Sequence, residues 1–183
     1  MNSAVYVAFL RGVNVGGNAI IGMEALKKAF SSLGFTGIKT VLASGNVIFE
    51  TGEVDVGVLT AKIEQMLQSD FGLQISAILR SGKEIQSLVN SKPFKKNKLI
   101  PQTRFLVTFL GETPPRGLKI SQRLTSSGFE NVRFSDRHVC SAIEISPGRG
   151  TSDLMKMLQK EFGKKITTRT WNTVERIAKL FED

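Results

Sequence analysis

The chain alternates between short apolar runs and stretches with helical spacing, and that alternation predicts its elements. Val5 to Leu10 is an unbroken apolar run and reads as a buried strand. Met23, Leu26, Phe30 and Leu33 then fall on one helical face, ending at Gly34, a residue suited to the left-handed position past a helix. Ile38 to Leu42 and Val47 to Glu50 are apolar runs joined by Ala43-Ser44-Gly45-Asn46, which predicts a hairpin. Leu59, Ile63, Met66 and Leu67 mark a second helix running into Phe71-Gly72, and Ile75 to Leu79 a fourth strand. The order is βαββαβ, the ferredoxin-like unit. A trailing helix begins at Ser81, where Glu84 completes a capping box, and ends near Asn90.

The pattern then restarts. Thr103 to Leu110 predicts a strand, Leu118 to Leu124 a short helix, Val132 to Phe134 and Val139 to Ile145 a strand pair, Leu154 to Phe162 a helix, and Ile166 to Arg169 a last strand. Letters repeat as well: the segment starting Met66-Leu67-Gln68 and ending Phe71-Gly72 matches the one starting Met157-Leu158-Gln159 and ending Phe162-Gly163, at an offset of 91. Carried forward, that offset places Asn172 and Glu175 on the capping box of Ser81 and Glu84. The expected fold is α+β, a tandem duplication of two ferredoxin-like (βαββαβ) units with trailing helices. Residues 1–91 form the first, 103–183 the second, and 92–102, with four lysines and Pro93, an exposed basic linker.

Charge sharpens the division. The net charge is +9, yet residues 1–90 carry seven basic and seven acidic side chains, so all the excess lies in the second half. That half suits an acidic partner such as nucleic acid, or a solvated basic surface. No apolar run approaches the roughly 20 residues of a membrane span, and no charged leader opens the chain, so a soluble, cytoplasmic protein is expected, without membrane contact. Cys140 stands alone and excludes an internal disulfide; with His138 the only histidine, no thiolate and imidazole cluster exists for a metal, and no cofactor is expected. Both are read as structural residues. Oligomeric state is not encoded in any of these patterns.

The candidate chemistry lies in Leu10 to Gly22, which leaves a strand and enters a helix while carrying Arg11, Asn14 and four glycines. In a βαββαβ unit the loop after strand 1 and the turn between strands 2 and 3 share one end of the sheet. Arg11, Asn14, Gly16 and Gly17 are therefore expected beside Ser44 and Asn46, a donor-rich concavity for phosphate or carboxylate. No Walker loop and no G-x-G-x-x-G fingerprint is present. Arg169 and Trp171 form a second candidate, where the indole stacks a base or packs on its own helix. The expected function is binding of a phosphorylated ligand: a nucleotide, a sugar phosphate or the backbone of a nucleic acid. The alternatives are a small hydrolase of acyl or phosphoryl groups, for which the loop offers no carboxylate or imidazole base, and a non-catalytic scaffold.

Phe9 to Gly17, Ser44 to Val47, and Thr167 to Val174 together resemble the motifs of one bacterial family, the domain of unknown function 1697 family, with its RGxNVGG loop. Thr170 departs from it, since Asn is more usual there. The resemblance implies two tandem ferredoxin-like subdomains and no established activity. It marks Arg11, Asn14, Gly16, Gly17, Ser44, Asn46, Arg169 and Trp171 as motif positions without assigning them a reaction.

Overall fold

The computed structural model describes residues 3–15, 17, 19–95, 101–113, 132–145 and 150–181. They form an α+β protein with two four-stranded antiparallel sheets and five helices. The first part runs β1 (Ala4–Leu10), α1 (Met23–Ser32), β2 (Thr36–Thr40), β3 (Asn46–Thr51), α2 (Val56–Phe71), β4 (Ala77–Ser81) and α3 (Gly82–Asn90). The second runs β5 (Thr103–Leu110), β6 (Val132–Phe134), β7 (His138–Glu144), α4 (Thr151–Phe162), β8 (Ile166–Thr170) and α5 (Trp171–Lys179). The strand orders are β2-β3-β1-β4 and β6-β7-β5-β8, the same arrangement twice and consistent with two ferredoxin-like halves. The helix expected at Leu118 to Leu124 lies outside the described residues.

By compactness the chain divides into Met1–Ser87 with Arg176–Asp183, and Leu88–Glu175. The last turn of α5 and the residues after it thus belong with the first sheet. There Lys39 Nζ reaches Leu180 O at 3.5 Å, and Phe181 lies against Gly82, close enough that a Cβ there would meet the ring at 3.6 Å, an ordinary contact.

The first core sits between one face of its sheet and helices α1 and α2. Alternation along β1 sends Tyr6, Ala8 and Leu10 to that face, where Leu26 and Phe30 of α1 and Leu59, Ile63 and Leu67 of α2 meet them. Phe49 is the hub: its ring stacks on Phe35 at 4.5 Å, lies 5.9 Å from Tyr6 and takes Phe30 edge-on at 5.6 Å. Asp55 caps α2 by accepting from Val58 N at 3.0 Å, and Gly72, left-handed at φ 67°, ends it. The second core gathers Leu106, Leu110, Val139, Ile143, Leu154, Leu158 and Ile166.

Two expectations move. Strand β4 begins two residues later than the apolar run Ile75 to Leu79 implied and continues through buried Arg80. In the second half the helix cap is Thr170, whose hydroxyl accepts from Thr173 N at 3.4 Å and meets Thr173 Oγ1 at 2.9 Å; Asn172 lies inside the helix. The pairing Val7↔Arg80 corresponds to Val107↔Arg169, an offset of 89. The loop from α4 to β8 is two residues shorter than that from α2 to β4, so the helix offset of 91 does not survive into the strand. At α3 the expected box is present: Ser81 N donates to Glu84 Oε2 at 2.8 Å and Glu84 N to Ser81 Oγ at 3.2 Å. The stretch read as an exposed linker is anchored at its start, with Pro93 buried and Phe94 against Phe105 at 4.8 Å.

Candidate functional site

Strand β1 remains paired on both sides to its last residue: Leu10 N donates to Gly45 O at 2.7 Å and Arg11 N to Ser76 O at 2.9 Å. The chain then turns through Gly12 at φ 74° and Asn14 at φ 54°, conformations that favour Gly and Asn. Val13 and Ile21 point into the first core and anchor the loop at both ends.

Asn14 holds the loop together. Its backbone N–H donates to Ala19 O at 3.1 Å; its carboxamide donates to Ile21 O at 3.0 Å and Ala43 O at 2.7 Å, and accepts from Ile21 N at 2.9 Å. The bond to Ala43 crosses from the β1 loop to the β2–β3 turn. That turn is closed by Asn46, fully buried, whose Nδ2 donates to Val41 O at 2.8 Å and to Ser44 Oγ at 3.1 Å. Gly45 packs so closely that a Cβ there would stand 3.0 Å from the Cβ atoms of both Leu10 and Val13. The structure thus brings Arg11, Asn14, Ser44 and Asn46 to one end of the sheet. The two asparagines spend their carboxamides on shaping it.

Asn14→Ala is therefore expected to cost roughly 2–3 kcal/mol, from three lost side-chain hydrogen bonds and a less tolerant residue at positive φ. Urea denaturation of the two proteins measures it, and a loss below about 0.5 kcal/mol would show that the bonds do not fix the loop.

Arg11 is half-buried. Among the described residues no carboxylate pairs with its guanidinium. Gly17, at φ 77°, is exposed with open space on its Cβ side; Gly16 lies outside the described residues. The rim carries three side chains that the sequence did not single out: Val15, Ile20 and Leu42 are 60%, 76% and 48% exposed. The available signal was an aliphatic residue inside or beside a polar turn.

The matching end of the second sheet differs. Leu110 N donates to Arg137 O and Gly111 N to Lys165 O, so Gly111 stands where Arg11 does, and His138 where Asn46 does. Glu112 follows and pairs with Lys165 at 3.1 Å. Among the described residues the arginine loop occurs once.

Arg169 and Trp171 sit at the opposite end of their own sheet, since β8 leaves β5 beside Leu106. Arg169 turns back on its strand, donating from Nη1 to Thr167 Oγ1 at 2.7 Å and Thr168 O at 2.9 Å, and loss of hydration pushes its guanidinium down to about 10. Trp171 takes Phe94 edge-on at 5.2 Å. His138 faces Ser135, its Nδ1 3.0 Å from the hydroxyl.

Cys140 is buried, and desolvation pushes its thiol from 9.0 up to about 12 although Arg133 draws it the other way. The native protein is expected to resist thiol reagents at pH 7.5 until it unfolds. Between pH 9.0 and the folded value of about 12 the unfolded state releases the proton and the folded state keeps it, so stability falls as pH rises. From pH 9 to 10 the native chain should lose about 1 kcal/mol more than Cys140→Ala, a comparison that isolates the thiol; equal losses would contradict it. Among the described residues no group of three His, Cys, Asp or Glu gathers to hold a metal ion, and no helix is long and apolar enough to cross a membrane.

No curated protein sequence matches the chain. Its structure is similar to the conserved bacterial protein SP0830 from Streptococcus pneumoniae, with a TM-score of 0.69, 19% identity, and coverage of 98% of this chain and 99% of that one. At that identity the likeness speaks for the fold. The family described as "Protein of unknown function (DUF1697)" matches residues 3–140, a span holding the arginine loop and both strands of its neighbouring turn. On that match the chain belongs to the DUF1697 family.

Proposed function

We propose that this protein arose by tandem duplication of a ferredoxin-like unit and that its first copy binds a phosphorylated ligand, a nucleotide, sugar phosphate or nucleic-acid backbone, at the Arg11 to Gly17 loop. One observation carries the reading: a half-buried arginine, with no carboxylate partner among the described residues, stands at the foot of a loop that Asn14 and Asn46 fasten to the neighbouring turn. A preorganised fork of N–H donors recognises phosphate oxygens in pairs, and rigidity lowers the entropy lost on binding. In this reading Arg11 clamps the anion, Ser44 and Gly17 border it, and Asn14 and Asn46 keep the frame. The basic second half, and a loop whose own sequence holds no carboxylate or imidazole to act as a base, fit binding better than hydrolysis.

The test is a thermal-shift panel of nucleotides, sugar phosphates and short oligonucleotides on the native chain and on Arg11→Ala. A ligand at a hundredfold over its Kd stabilises by about 2.7 kcal/mol, and that gain should vanish in the variant. Shifts of equal size in both proteins would overturn the assignment.

A further inference from the structure

The rim of the arginine loop is expensive in two ways at once. Val15, Ile20 and Leu42 are three of the five large hydrophobic side chains that the described residues leave exposed. Hydrogen bonds bring them together: Asn14, next to Val15, bonds Ala19 and Ile21 on either side of Ile20, and Ala43 next to Leu42. Leu42 is also left-handed, at φ 59°, and Ala19 at φ 49°. Gly or Asn would hold Leu42's backbone at lower cost, and a polar side chain would be better hydrated there. Folding alone favours neither choice, and strained, exposed residues on the loop and turn that carry Arg11, a cation with no carboxylate partner among the described residues, are the pattern of a binding surface.

We infer that the phosphorylated ligand is a nucleotide, its base lying on Val15, Ile20 and Leu42 while its phosphate meets Arg11; this rests on the anion reading above. The chemistry selects among the ligands of that reading. A sugar phosphate offers hydroxyls to three aliphatic side chains and leaves them wet. A nucleobase offers a flat, weakly hydrated face that covers them, and the phosphate it carries through the ribose suits the cation of the same loop. The aliphatic rim supplies no hydrogen-bond donors for the base edge, so discrimination between bases is weak. The same chemistry is presented by a free nucleotide and by the terminal nucleotide of a strand.

Isothermal titration of the full chain with inorganic phosphate, ribose 5-phosphate, AMP and a 5′-phosphorylated tetranucleotide tests this. AMP is expected to bind at least about tenfold tighter than ribose 5-phosphate, the return for covering part of three aliphatic groups. Val15→Ser with Ile20→Ser, both at exposed positions, should bring that ratio to near one by weakening AMP more than ribose 5-phosphate. Leu42→Asn should lower the ratio while raising Tm by about 2–4 °C, because Asn accepts the left-handed backbone. Tetranucleotide binding tighter than AMP identifies a strand end, and equal binding a free nucleotide. If ribose 5-phosphate and AMP bind alike, or the serine variant keeps the AMP preference, the nucleotide inference is overturned and the anion reading stands. If no phosphate compound binds, the anion reading itself falls.

Discussion

Phe49→Ala should be the most damaging single truncation in the first unit, costing about 3–5 kcal/mol. The side chain is fully buried, and three aromatic rings close on it from different elements: Tyr6 from β1, Phe30 from α1 and Phe35 from the segment leading into β2. Removing it deletes the transfer free energy of the ring and leaves a space that these neighbours cannot all fill, because each is fixed by its own strand or helix. For a chain of this length a loss of that size lowers Tm by roughly 10 °C. Urea denaturation followed by circular dichroism measures it, with Phe49→Leu as a companion expected to lose less than half as much. A loss under about 1 kcal/mol would mean that the stack is not packed as described.

Gly45→Ala should follow, at about 2–5 kcal/mol, from two separable costs. Its φ is 71°, which a Cβ disfavours by roughly 1–2 kcal/mol. The Cβ would also press at 3.0 Å on the Leu10 and Val13 side chains and at 3.3 Å on the Leu10 carbonyl, whose backbone is held in the sheet. Gly17→Ala separates the two, since Gly17 has φ 77° and open space, and should show the conformational cost alone. If the two variants lose the same stability, the close approach of turn to loop carries no energy. If Arg11 clamps an anion as proposed, the Gly45 variant should also weaken phosphate binding, since Arg11 stands next to Leu10; the Gly17 variant probes the loop without disturbing that contact.

Strands β1 and β5 were legible almost to the residue: β1 is a continuous apolar run, and β5, though interrupted by Arg104 and Thr108, is dense in aromatic and β-branched residues. Strand β4 was misplaced by two residues for a physical reason. Ile75 is apolar but belongs to the approach, while Arg80 looks like a boundary and is a buried strand residue whose charged head bonds the strand's own carbonyl, at Leu79. The second cap was missed because identical letters in α2 and α4 suggested one constant offset, and a shortened loop is invisible to such matching. At the site, topology placed Arg11, Asn14, Ser44 and Asn46 at one sheet end from order alone. It did not divide their labour. That Asn14 and Asn46 turn their carboxamides inward depends on left-handed backbone at Asn14 and on burial of Asn46, and neither is a property of the letters. The exposed rim of Val15, Ile20 and Leu42 was equally hidden, because an aliphatic residue reads as core until its surroundings are known.

The membership of residues 176–183 in the first compact unit bears on how the molecule is made. A chain grows from its N-terminus, so β1 to β4 and both their helices leave the ribosome well before Leu180 and Phe181 arrive to contact Lys39 and Gly82. The first unit to be synthesised is thus the last to be completed, and the place that Phe181 takes beside Gly82 is filled only after the whole second sheet has been translated.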